Sequence, residues 1–387
     1  MKKALGMTLA LCLATTVAQA QENSLTTSAP AKAKRSGFRN YSGEASFGML
    51  GREFGGDVVN ARFSRASISG LFNFEFTDWL QAKLEATQTF TSGATSNLYS
   101  APEGGSGSNG LGLDEASLTL KPIDKVTLKG GILPVGANPV FSLMAPGSWA
   151  AYSVGARQKI GSFTLGLDGA QGIPTARSTS NRIVDEDTLP LYTSGTLLGE
   201  LKTQSGFIAK AAATRFIFTD LSAQSAQDSQ QIGSTVVGNS RSAFLFAYEY
   251  RGMEYALELK QVLFNEDEIG IKGSFAENDS APEGMNQGGK VALRYMRAGD
   301  NWNSAVTLTR FNIESDVMPA TYTSSGFSFT NRQGNSIALK FDNKKHNFGL
   351  LGSYSKSDVL NRDAQAARFQ GDNEIITIGG EVTHDLF

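Results

Sequence analysis

The sequence predicts an all-β fold, a transmembrane antiparallel β-barrel of about sixteen strands. Three observations lead to this prediction: short segments in which apolar and polar residues alternate, connections that are in turn short and long, and a removable export signal at the N-terminus. Strands cross lipid only within a closed sheet, because lipid offers no hydrogen-bond partners to unpaired backbone groups. Counts of about fourteen or eighteen strands also fit the pattern.

Residues 1–20 have the three regions of a cleavable secretory signal. A positively charged start is followed by an apolar stretch over about residues 4–17 and by small residues at 18–20. The apolar stretch is shorter than the roughly 20 residues that a spanning helix needs, so we expect the mature chain to begin at Gln21. The single cysteine, Cys12, leaves with the signal, which excludes disulfides and thiolate sites from the mature chain.

Two further segments complete the predicted domain organisation. Residues 21–37 are polar, with Ala, Pro and Lys interspersed near the end, which predicts a flexible periplasmic lead-in. Residues 38–387 contain no linker between parts of different composition, so we expect one outer-membrane barrel domain there. The chain has 35 Lys and Arg against 37 Asp and Glu, and this balance gives no reason to expect nucleic-acid binding.

Alternation is clearest over residues 62–76. Ile68 and Phe72 fall on one face of this segment, and Asn73 falls on the other. Residues 80–87 continue the pattern, with Leu and Ala on one face and Gln, Lys, Glu and Thr on the opposite face. A strand places successive side chains on opposite faces of its sheet. We therefore expect the apolar face to contact lipid and the polar face to line a lumen.

The connections between these segments alternate in length. We expect seven short turns, near residues 77–79, 122–124, 161, 205, 252, 299–301 and 343–346. We expect eight long polar loops, near residues 51–61, 92–112, 134–148, 172–195, 220–240, 265–288, 314–333 and 358–373. This gives sixteen strands, with strand one beside the last strand and both termini on the short-turn side, which is the periplasmic side of such barrels.

Two expectations within this count concern the middle of the chain. Phe244, Phe246, Tyr248 and Tyr250 alternate with other residues and are expected to face lipid in strand ten. Residues 269–275 also alternate, and this pattern could form part of a strand that extends above the membrane.

The last predicted strand has Ile376, Ile378 and Val382 on one face and stops at Phe387. This ending resembles the terminal signal of bacterial outer-membrane barrels, in which a final aromatic residue is recognised by the barrel-assembly machinery. The resemblance implies that Phe387 is an assembly signal. It also implies a multi-pass barrel in the outer membrane of a Gram-negative bacterium, in contact with lipid and lipopolysaccharide.

Residues 114–134 include a Gly-x-hydrophobic-x-Pro stretch and resemble the hairpin before the constriction loop in porins of the phosphate-selective porin O and P type. The resemblance implies a porin, commonly a homotrimer, whose third loop at 134–148 folds into the lumen. The residues implied for this constriction loop are Pro134, Asn138, Pro139, Phe141, Met144 and Pro146. Residues 134–149 contain no Lys or Arg, which departs from the basic constriction of a phosphate-specific pore.

The phase opposite the apolar one carries a set of mostly basic charges. The candidate pore-lining residues are Lys83, Glu85, Glu115, Lys129, Arg157, Lys210, Lys260, Arg294 and Lys340. Charges along a water-filled lumen set ion preference through their field, so we expect mild anion selectivity. The alternative is that many of these charges neutralise one another in pairs near the strand ends.

This pattern predicts a water-filled channel for the passive diffusion of small hydrophilic solutes and ions. The alternative is a structural or adhesive surface barrel whose external loops bind a partner. Strand number favours the channel, because a barrel of about sixteen strands leaves an aqueous lumen unless it is plugged. An enzyme is not expected, since both histidines, His346 and His384, fall near predicted periplasmic turns. No cofactor or metal site is predicted.

Overall fold

The computed structural model describes residues 40–97, 100–136, 138–145, 147–175, 189–238, 244–264, 266–323 and 329–386. The predictions for the signal at 1–20, the lead-in at 21–37, Pro146 and Phe387 lie outside the described residues. Within the described ranges, sixteen strands pair in one closed antiparallel barrel, and two short strands form a separate hairpin. The prediction of an all-β barrel of about sixteen strands is confirmed.

The strands are β1 Asn40–Gly56, β2 Val59–Glu75, β3 Leu80–Asn97, β4 Ser100–Ile123, β5 Val126–Val135, β6 Gly147–Ile160, β7 Phe163–Ile173, β8 Leu191–Lys202, β9 Phe207–Thr219, β10 Val236–Val237, β11 Leu245–Phe246, β12 Tyr250–Val262, β13 Glu268–Asn278, β14 Gln287–Ala298, β15 Trp302–Ile313, β16 Arg332–Asn343, β17 Phe348–Val359 and β18 Asn373–Asp385. The described residues also include an α-helix, α1 Ala223–Gln230, between β9 and β10, and two short 3-10 helices, Ala320–Tyr322 and Gln365–Phe369. Each barrel strand pairs with its neighbour along the chain, except that β9 pairs with β12 and β18 pairs with β1.

The barrel closes between its first and last strands. Glu44 of β1 lies opposite Asp385 of β18, and the register continues without a shift to Gly56 opposite Asn373. The expected pairing of strand one with the last strand is therefore correct. Closure leaves no unpaired edge in the sheet, which is the condition for a sheet to sit in lipid.

The outward phase of the strands is apolar across the middle of the barrel. Ile68, Leu84, Leu197 and Ile378 all point outward and are 41% exposed or more. The residues that alternate with these along each strand belong to the inward phase and are mostly polar. Side chains of this kind are stable on an outer surface only against lipid, so the sheet is a transmembrane β-barrel of the bacterial outer-membrane type. None of the described helices has the length and apolar character to cross a membrane.

Two of the predicted long loops are strands instead. The segments at 51–61 and 92–112 were expected to be external loops, but β1 and β2 continue to a turn at Asp57 and Val58, and β3 and β4 extend over most of 92–112. Above the lipid, a strand no longer needs apolar residues on its outer face. These extensions are polar and rich in Gly and Ser, a composition that predicts a loop. Their backbone nevertheless remains paired with the neighbouring strands.

The predicted turn at 252 is also wrong. Gly252 lies inside β12, and the short turn falls at 263–267. A Cβ at Gly252 would collide with the carbonyl oxygen of Glu277 on the neighbouring strand, so close packing explains this glycine. The predicted long loop at 265–288 contains β13, which includes the alternating stretch at 269–275. The sequence therefore predicts a turn at 252 that does not exist and misses the turn between β12 and β13. These two errors cancel, so the predicted number of strands is still correct.

The expected lipid-facing set in strand ten is wrong for the same reason. Phe246 belongs to the small β10–β11 hairpin and packs edge-to-face on Tyr250, with ring centroids 5.1 Å apart. Tyr250 begins β12 and is buried. Phe244 and Tyr248 lie in the loop between β9 and β12. This loop also contains α1, so the predicted loop at 220–240 has structure of its own.

A second apolar core lies inside the barrel near the ends of the strands on the long-loop side. This mouth cluster consists of Leu133, Val135, Leu143, Met144, Trp149, Tyr192, Phe216, Phe218, Tyr250, Ala276, Phe311, Ile313, Val317, Met318 and Tyr322. Its members come from β5, β6, β8, β9, β12, β13 and β15 and from the loops at 136–146 and 314–331. Among the described residues, none comes from β1–β4 or β16–β18.

Candidate functional site

The nine residues predicted to line a pore all belong to the inward phase of their strands. On β3, for example, Lys83 and Glu85 flank the outward-facing Leu84. On β14, Arg294 lies between the outward-facing Leu293 and Tyr295. Because side chains alternate along a strand, this phase points into the barrel. The structure thus gathers charged groups from many strands on one interior wall.

Glu115 of β4 is the centre of one charge cluster on this wall. Its carboxylate accepts hydrogen bonds from Lys83 Nζ at 3.0 Å and from Ser117 Oγ at 2.6 Å, and it forms an ion pair with Lys129. Lys83 Nζ also lies 2.7 Å from Glu85. The Glu115 side chain is 3% exposed, whereas the Lys83 and Lys129 side chains are 33% and 29% exposed. The lysines are therefore the more accessible charges of this cluster.

Glu258 of β12 repeats this arrangement on another part of the wall. Its carboxylate lies 3.1 Å from Lys210 Nζ and 3.2 Å from Lys272 Nζ, and its side chain is nearly buried. Lys260, also on β12, pairs with Glu268 at 2.8 Å. Sequence reasoning missed Lys272, because β13 was assigned to a long loop. The alternation over residues 269–275 was the signal that could have found it.

Arg157 of β6 and Asp168 of β7 form a two-pronged ion pair, with nitrogen–oxygen distances of 2.6 and 2.5 Å. The pair lies flat on the wall because two glycines face it. A Cβ at Gly155 would approach Asp168 Oδ1 to 2.8 Å, and a Cβ at Gly166 would approach Arg157 Nη1 to 2.8 Å. The absence of a side chain at these glycines lets the Arg157 and Asp168 side chains lie close to the sheet.

The last two predicted pore residues differ in their pairing. Lys340 of β16 lies 3.1 Å from Asp342 Oδ1 on the same strand. Within the part of the chain that the structure describes, Arg294 has no carboxylate at salt-bridge distance. Most of the predicted lumen charges are therefore paired, while Arg294 keeps an uncompensated charge.

The third loop crosses part of the barrel interior. It comprises residues 136–146, because Pro134 belongs to β5, opposite Ser148 of β6. Asn138 Nδ2 donates to Thr214 Oγ1 of β9 at 3.2 Å. The predicted loop at 134–148 is therefore slightly too long, but its central part contacts a wall formed by distant strands.

Glu254 of β12 makes the strongest contact with this loop. Its two carboxylate oxygens accept hydrogen bonds from Ser142 Oγ at 2.8 Å and from the Leu143 backbone N–H at 2.5 Å. Glu254 is fully buried. A single carboxylate on a strand five positions from β5 thus accepts hydrogen bonds from two donors of the loop. Hydrogen bonds to a charged acceptor are stronger than neutral ones.

Other predicted constriction residues take different positions. The Nζ of Lys290 on β14 lies 3.8 Å from the ring centroid of Phe141, a cation–π contact. Met144 is buried and forms an isolated bridge with Thr323 of the loop before β16. Pro139 is exposed. The loop is therefore joined both to the wall and to a second loop.

A cavity of about 610 Å³ lies between the third loop and the wall, where it is lined by β5–β8 and by Lys272 of β13 and Lys290 of β14. Among the described residues that line it, Lys129, Arg157, Lys272 and Lys290 are cationic, and Asp168 is acidic. A cavity of this size is in the range that accommodates small ligands. The excess of cations on its surface favours anionic or polar occupants over cations.

Asp316 joins the loops on the long-loop side. It accepts hydrogen bonds from the Thr235 backbone N–H at 2.8 Å, Thr235 Oγ1 at 2.6 Å and Ser315 Oγ at 2.7 Å. Tyr250 donates its hydroxyl to the same carboxylate at 3.1 Å. Asp316 is fully buried, and this burial raises its pKa above the ordinary aspartate value.

The described residues contain no group of three or more His, Cys, Asp and Glu side chains that could hold a metal ion. His346 lies exposed in the turn between β16 and β17, and His384 is exposed near the end of β18.

Comparison with known proteins shows the fold. No protein-family model matches the sequence, and no curated protein is detectably similar. A high-pH structure of Pseudomonas putida OprB is similar with a TM-score of 0.54 and 13% identity, covering 89% of this chain and 94% of that chain. A low-pH structure of the same protein gives 0.51 and 8%, covering 89% and 92%. The outer membrane protein OprD from Pseudomonas aeruginosa has a TM-score of 0.48 and 9% identity, covering 92% and 97%.

Proposed function

We propose that this chain forms a water-filled channel in the outer membrane, through which small hydrophilic solutes and ions diffuse passively. Two features support the proposal. A barrel of about sixteen strands is wide enough to leave an aqueous lumen. Its interior wall also carries charged and hydroxyl side chains, which are stable inside a barrel only when water reaches them or when they are paired.

The third loop is the proposed constriction. The observation that carries this proposal is the pair of hydrogen bonds from Ser142 and Leu143 to Glu254. They hold a loop that starts at β5 against a strand five positions away around the barrel, so we expect the loop to span part of the lumen and reduce its open cross-section. Asn138, Phe141 and Met144 are the loop residues that we propose to set its position, through Thr214, Lys290 and Thr323.

We propose mild anion selectivity for this channel. The support comes from layering: the carboxylates of Glu115 and Glu258 are almost buried, whereas three of the four lysines that pair with them, Lys83, Lys129 and Lys210, are more exposed. The electrostatic field close to the wall is dominated by the nearest charges, so the ammonium groups act most strongly on a passing ion. The nine predicted pore residues are the proposed sources of this field.

Planar-bilayer recording of the purified, folded protein tests the channel and its selectivity together. We expect discrete conductance steps in potassium chloride and, in a salt gradient, a reversal potential displaced toward the chloride equilibrium potential. Cation selectivity would contradict the layering argument while leaving the channel intact. Complete lack of conductance by a protein with the heat-modifiable gel mobility of a folded barrel would contradict the channel itself.

The mouth cluster favours a second candidate function. Its buried apolar residues occupy part of the interior, and a surface barrel with a filled lumen would present its external loops to a partner. This structural or adhesive function predicts no conductance in the same experiment. Removal of the buried loops would then create a conductance that the intact protein lacks.

The finer resemblance to phosphate-selective porins leads to a separate proposal, that inorganic phosphate enters the channel. The third loop has no basic residue of its own, but Lys290 approaches it at Phe141. Phosphate at millimolar concentration should then reduce the chloride current. A homotrimer, which the same resemblance implies, is tested by the mass of the detergent-solubilised protein.

A further inference from the structure

Two arginines on the inward phase of β1 and β2 form a cationic pair. Arg52 lies on β1, and Arg65 lies on β2 opposite Leu50, which is two residues from Arg52 on the same face. Both guanidinium carbons lie 5.9 Å from the centroid of the Phe63 ring. Among the described residues, no carboxylate is at salt-bridge distance from either guanidinium. This pair therefore differs from the lysines near Glu115 and Glu258, which have acidic partners.

Each arginine is held in place through its Nε atom. Arg52 Nε donates to Thr377 Oγ1 of β18 at 3.2 Å, and Arg65 Nε donates to Thr91 Oγ1 of β3 at 3.3 Å. These bonds fix the orientation of the guanidinium planes. They leave the terminal Nη groups, which carry most of the donors of an arginine, without an acceptor among the described residues.

Phe63 supports both guanidinium groups from between them. Its ring fits because Gly93 lies directly opposite on β3, where a Cβ would come within 2.5 Å of the Phe63 Cβ. Cations on an aromatic face gain energy that does not depend on a carboxylate. The wall thus orients two positive charges without neutralising them.

The position of this pair matches the part of the lumen that the mouth cluster leaves open. The cluster draws its side chains from β5–β15, and none of its described members comes from β1–β4 or β16–β18. The loop at 360–372 covers the outer ends of β16 and β18, where its Gln370 and Gly371 accept hydrogen bonds from Asn331 and Arg332. We therefore expect solutes that enter from the long-loop side to pass along the wall of β1–β3. Arg52 and Arg65 lie near the outer end of that wall, a few residues from the turn at Asp57 and Val58.

We infer that Arg52 and Arg65 form a binding site for an oxyanion, a carboxylate or a phosphate group of an entering solute. Two guanidinium groups with fixed planes and unused Nη donors match the geometry of such groups, which accept two parallel N–H bonds. A bound anion would also relieve the repulsion between the two like charges. This inference rests on the proposed channel, and it names the chemistry of the solutes that the channel retains.

Single-channel block tests the inference, with inorganic phosphate and acetate as probes in chloride at constant ionic strength. We expect both anions to shorten the open times of the wild-type channel. The double variant R52Q/R65Q should require about tenfold more of either anion for half-block, because hydrogen bonds to charged groups are lost. Block by phosphate alone would assign the site to phosphate groups, and block by acetate would extend it to carboxylates.

Arg62 provides a matched control on the same strand. It points outward, where it pairs with Glu53, and it is exposed. R62Q should leave both half-blocking concentrations unchanged. The variant R52K/R65K keeps both charges but removes the planar donor pairs. Phosphate and acetate should therefore block it more weakly than they block the wild-type channel. Unchanged block in R52Q/R65Q would overturn the inference, as would an equal loss in R62Q. The potassium chloride conductance distinguishes these results from failure of the channel proposal, since it persists in each case.

Discussion

The carboxylate of Glu254 accepts the backbone N–H of Leu143 at 2.5 Å, although the two residues are 111 positions apart in the chain. The same carboxylate accepts the Ser142 hydroxyl at 2.8 Å. Glu254 is rigid because it lies in a barrel strand, and Leu143 lies in a loop with few regular backbone pairs. The position of the loop in the lumen therefore depends on a side chain from a strand several positions away around the barrel.

Replacement of Glu254 should release the third loop. E254A removes both acceptors and leaves the Leu143 N–H buried without a partner, a loss of about 1–3 kcal/mol for one such group. E254Q keeps one acceptor oxygen but directs an N–H₂ group at a loop donor, so we expect an intermediate effect. Single-channel recording should show a larger mean conductance and more open-channel noise, in the order E254A, E254Q, wild type.

Glu277 serves as the control for this experiment. It lies on the neighbouring strand β13 opposite Met253, on the outward phase. E277Q makes the same chemical change at a similar height outside the barrel. Equal conductance in E254Q and E277Q, with no increase in E254A, would mean that the loop is held by its other contacts.

The lumen face could be predicted from the sequence because it depends on a local property. Alternation within a strand assigns Lys83 to the side opposite Leu84 whatever its partners are. All nine predicted pore residues consequently fall on the inward phase. The contacts between strands and loops could not be predicted in this way, since no local pattern relates Glu254 to Leu143 or Asp316 to Thr235.

The strand boundaries show where local patterns stop being informative. Arg52 follows the clear alternation of β1 and was assigned to a loop, because outside lipid the outer face of a strand becomes polar. Gly252 was assigned to a turn, yet its small size serves the close approach of Glu277. A glycine in a sequence indicates a backbone requirement, but pairing decides whether that requirement is a turn or a close contact.

Removal of the Glu115 charge should increase anion selectivity. E115Q leaves Lys83 and Lys129 on the wall without the carboxylate that lies between them. The local field becomes more positive, so the reversal potential in a salt gradient should move further toward that of chloride. Breaking a buried ion pair also costs roughly 3–5 kcal/mol, less here because both lysines are partly exposed, so the gel-mobility transition on heating should occur at a lower temperature.

The exposed outward pair of Glu374 and Lys356, 3.2 Å apart, is the control for Glu115. E374Q should change neither quantity measurably, because exposed pairs contribute only about 0–1 kcal/mol. If E115Q and E374Q give the same reversal potential, ions do not pass close to the cluster around Glu115.

Asp316 should make the packing of the external loops dependent on pH. Its pKa is raised in the folded protein by burial, so the folded state binds the proton more tightly than the unfolded segment does. Its contribution to stability is therefore greatest below the ordinary aspartate pKa of about 3.9 and falls as the pH rises through the raised folded value. Hydrogen exchange across residues 314–323, corrected for intrinsic rates, should show greater protection at lower pH.

The variant D316N isolates this effect, because it keeps the shape of the side chain but does not titrate. Whatever its own level of protection, the pH-dependent part should disappear in this variant. An identical pH slope in D316N and wild type would assign the dependence to other groups.

The aromatic ring of Tyr322 should stabilise the mouth cluster more than its hydroxyl group does. Its ring stacks on Phe218 with centroids 5.6 Å apart and meets Trp149 edge-on at 5.2 Å. Its hydroxyl is 3.0 Å from Ser225 Oγ on α1, and burial raises its pKa to about 12. Truncation of a buried aromatic side chain costs about 3–5 kcal/mol, whereas loss of one neutral hydrogen bond costs about 0.5–1.5 kcal/mol.

We therefore expect Y322A, and not Y322F, to loosen the loops around α1. Protease cleavage within 220–249 should become faster in Y322A, and the conductance should rise because the cluster no longer fills its side of the lumen. Tyr354 points outward toward lipid, so Y354A is a control for loss of a tyrosine without loss of the cluster. If Y322A opened the loops without any gain in conductance, solutes would pass only along the wall of β1–β3, where Arg52 and Arg65 lie.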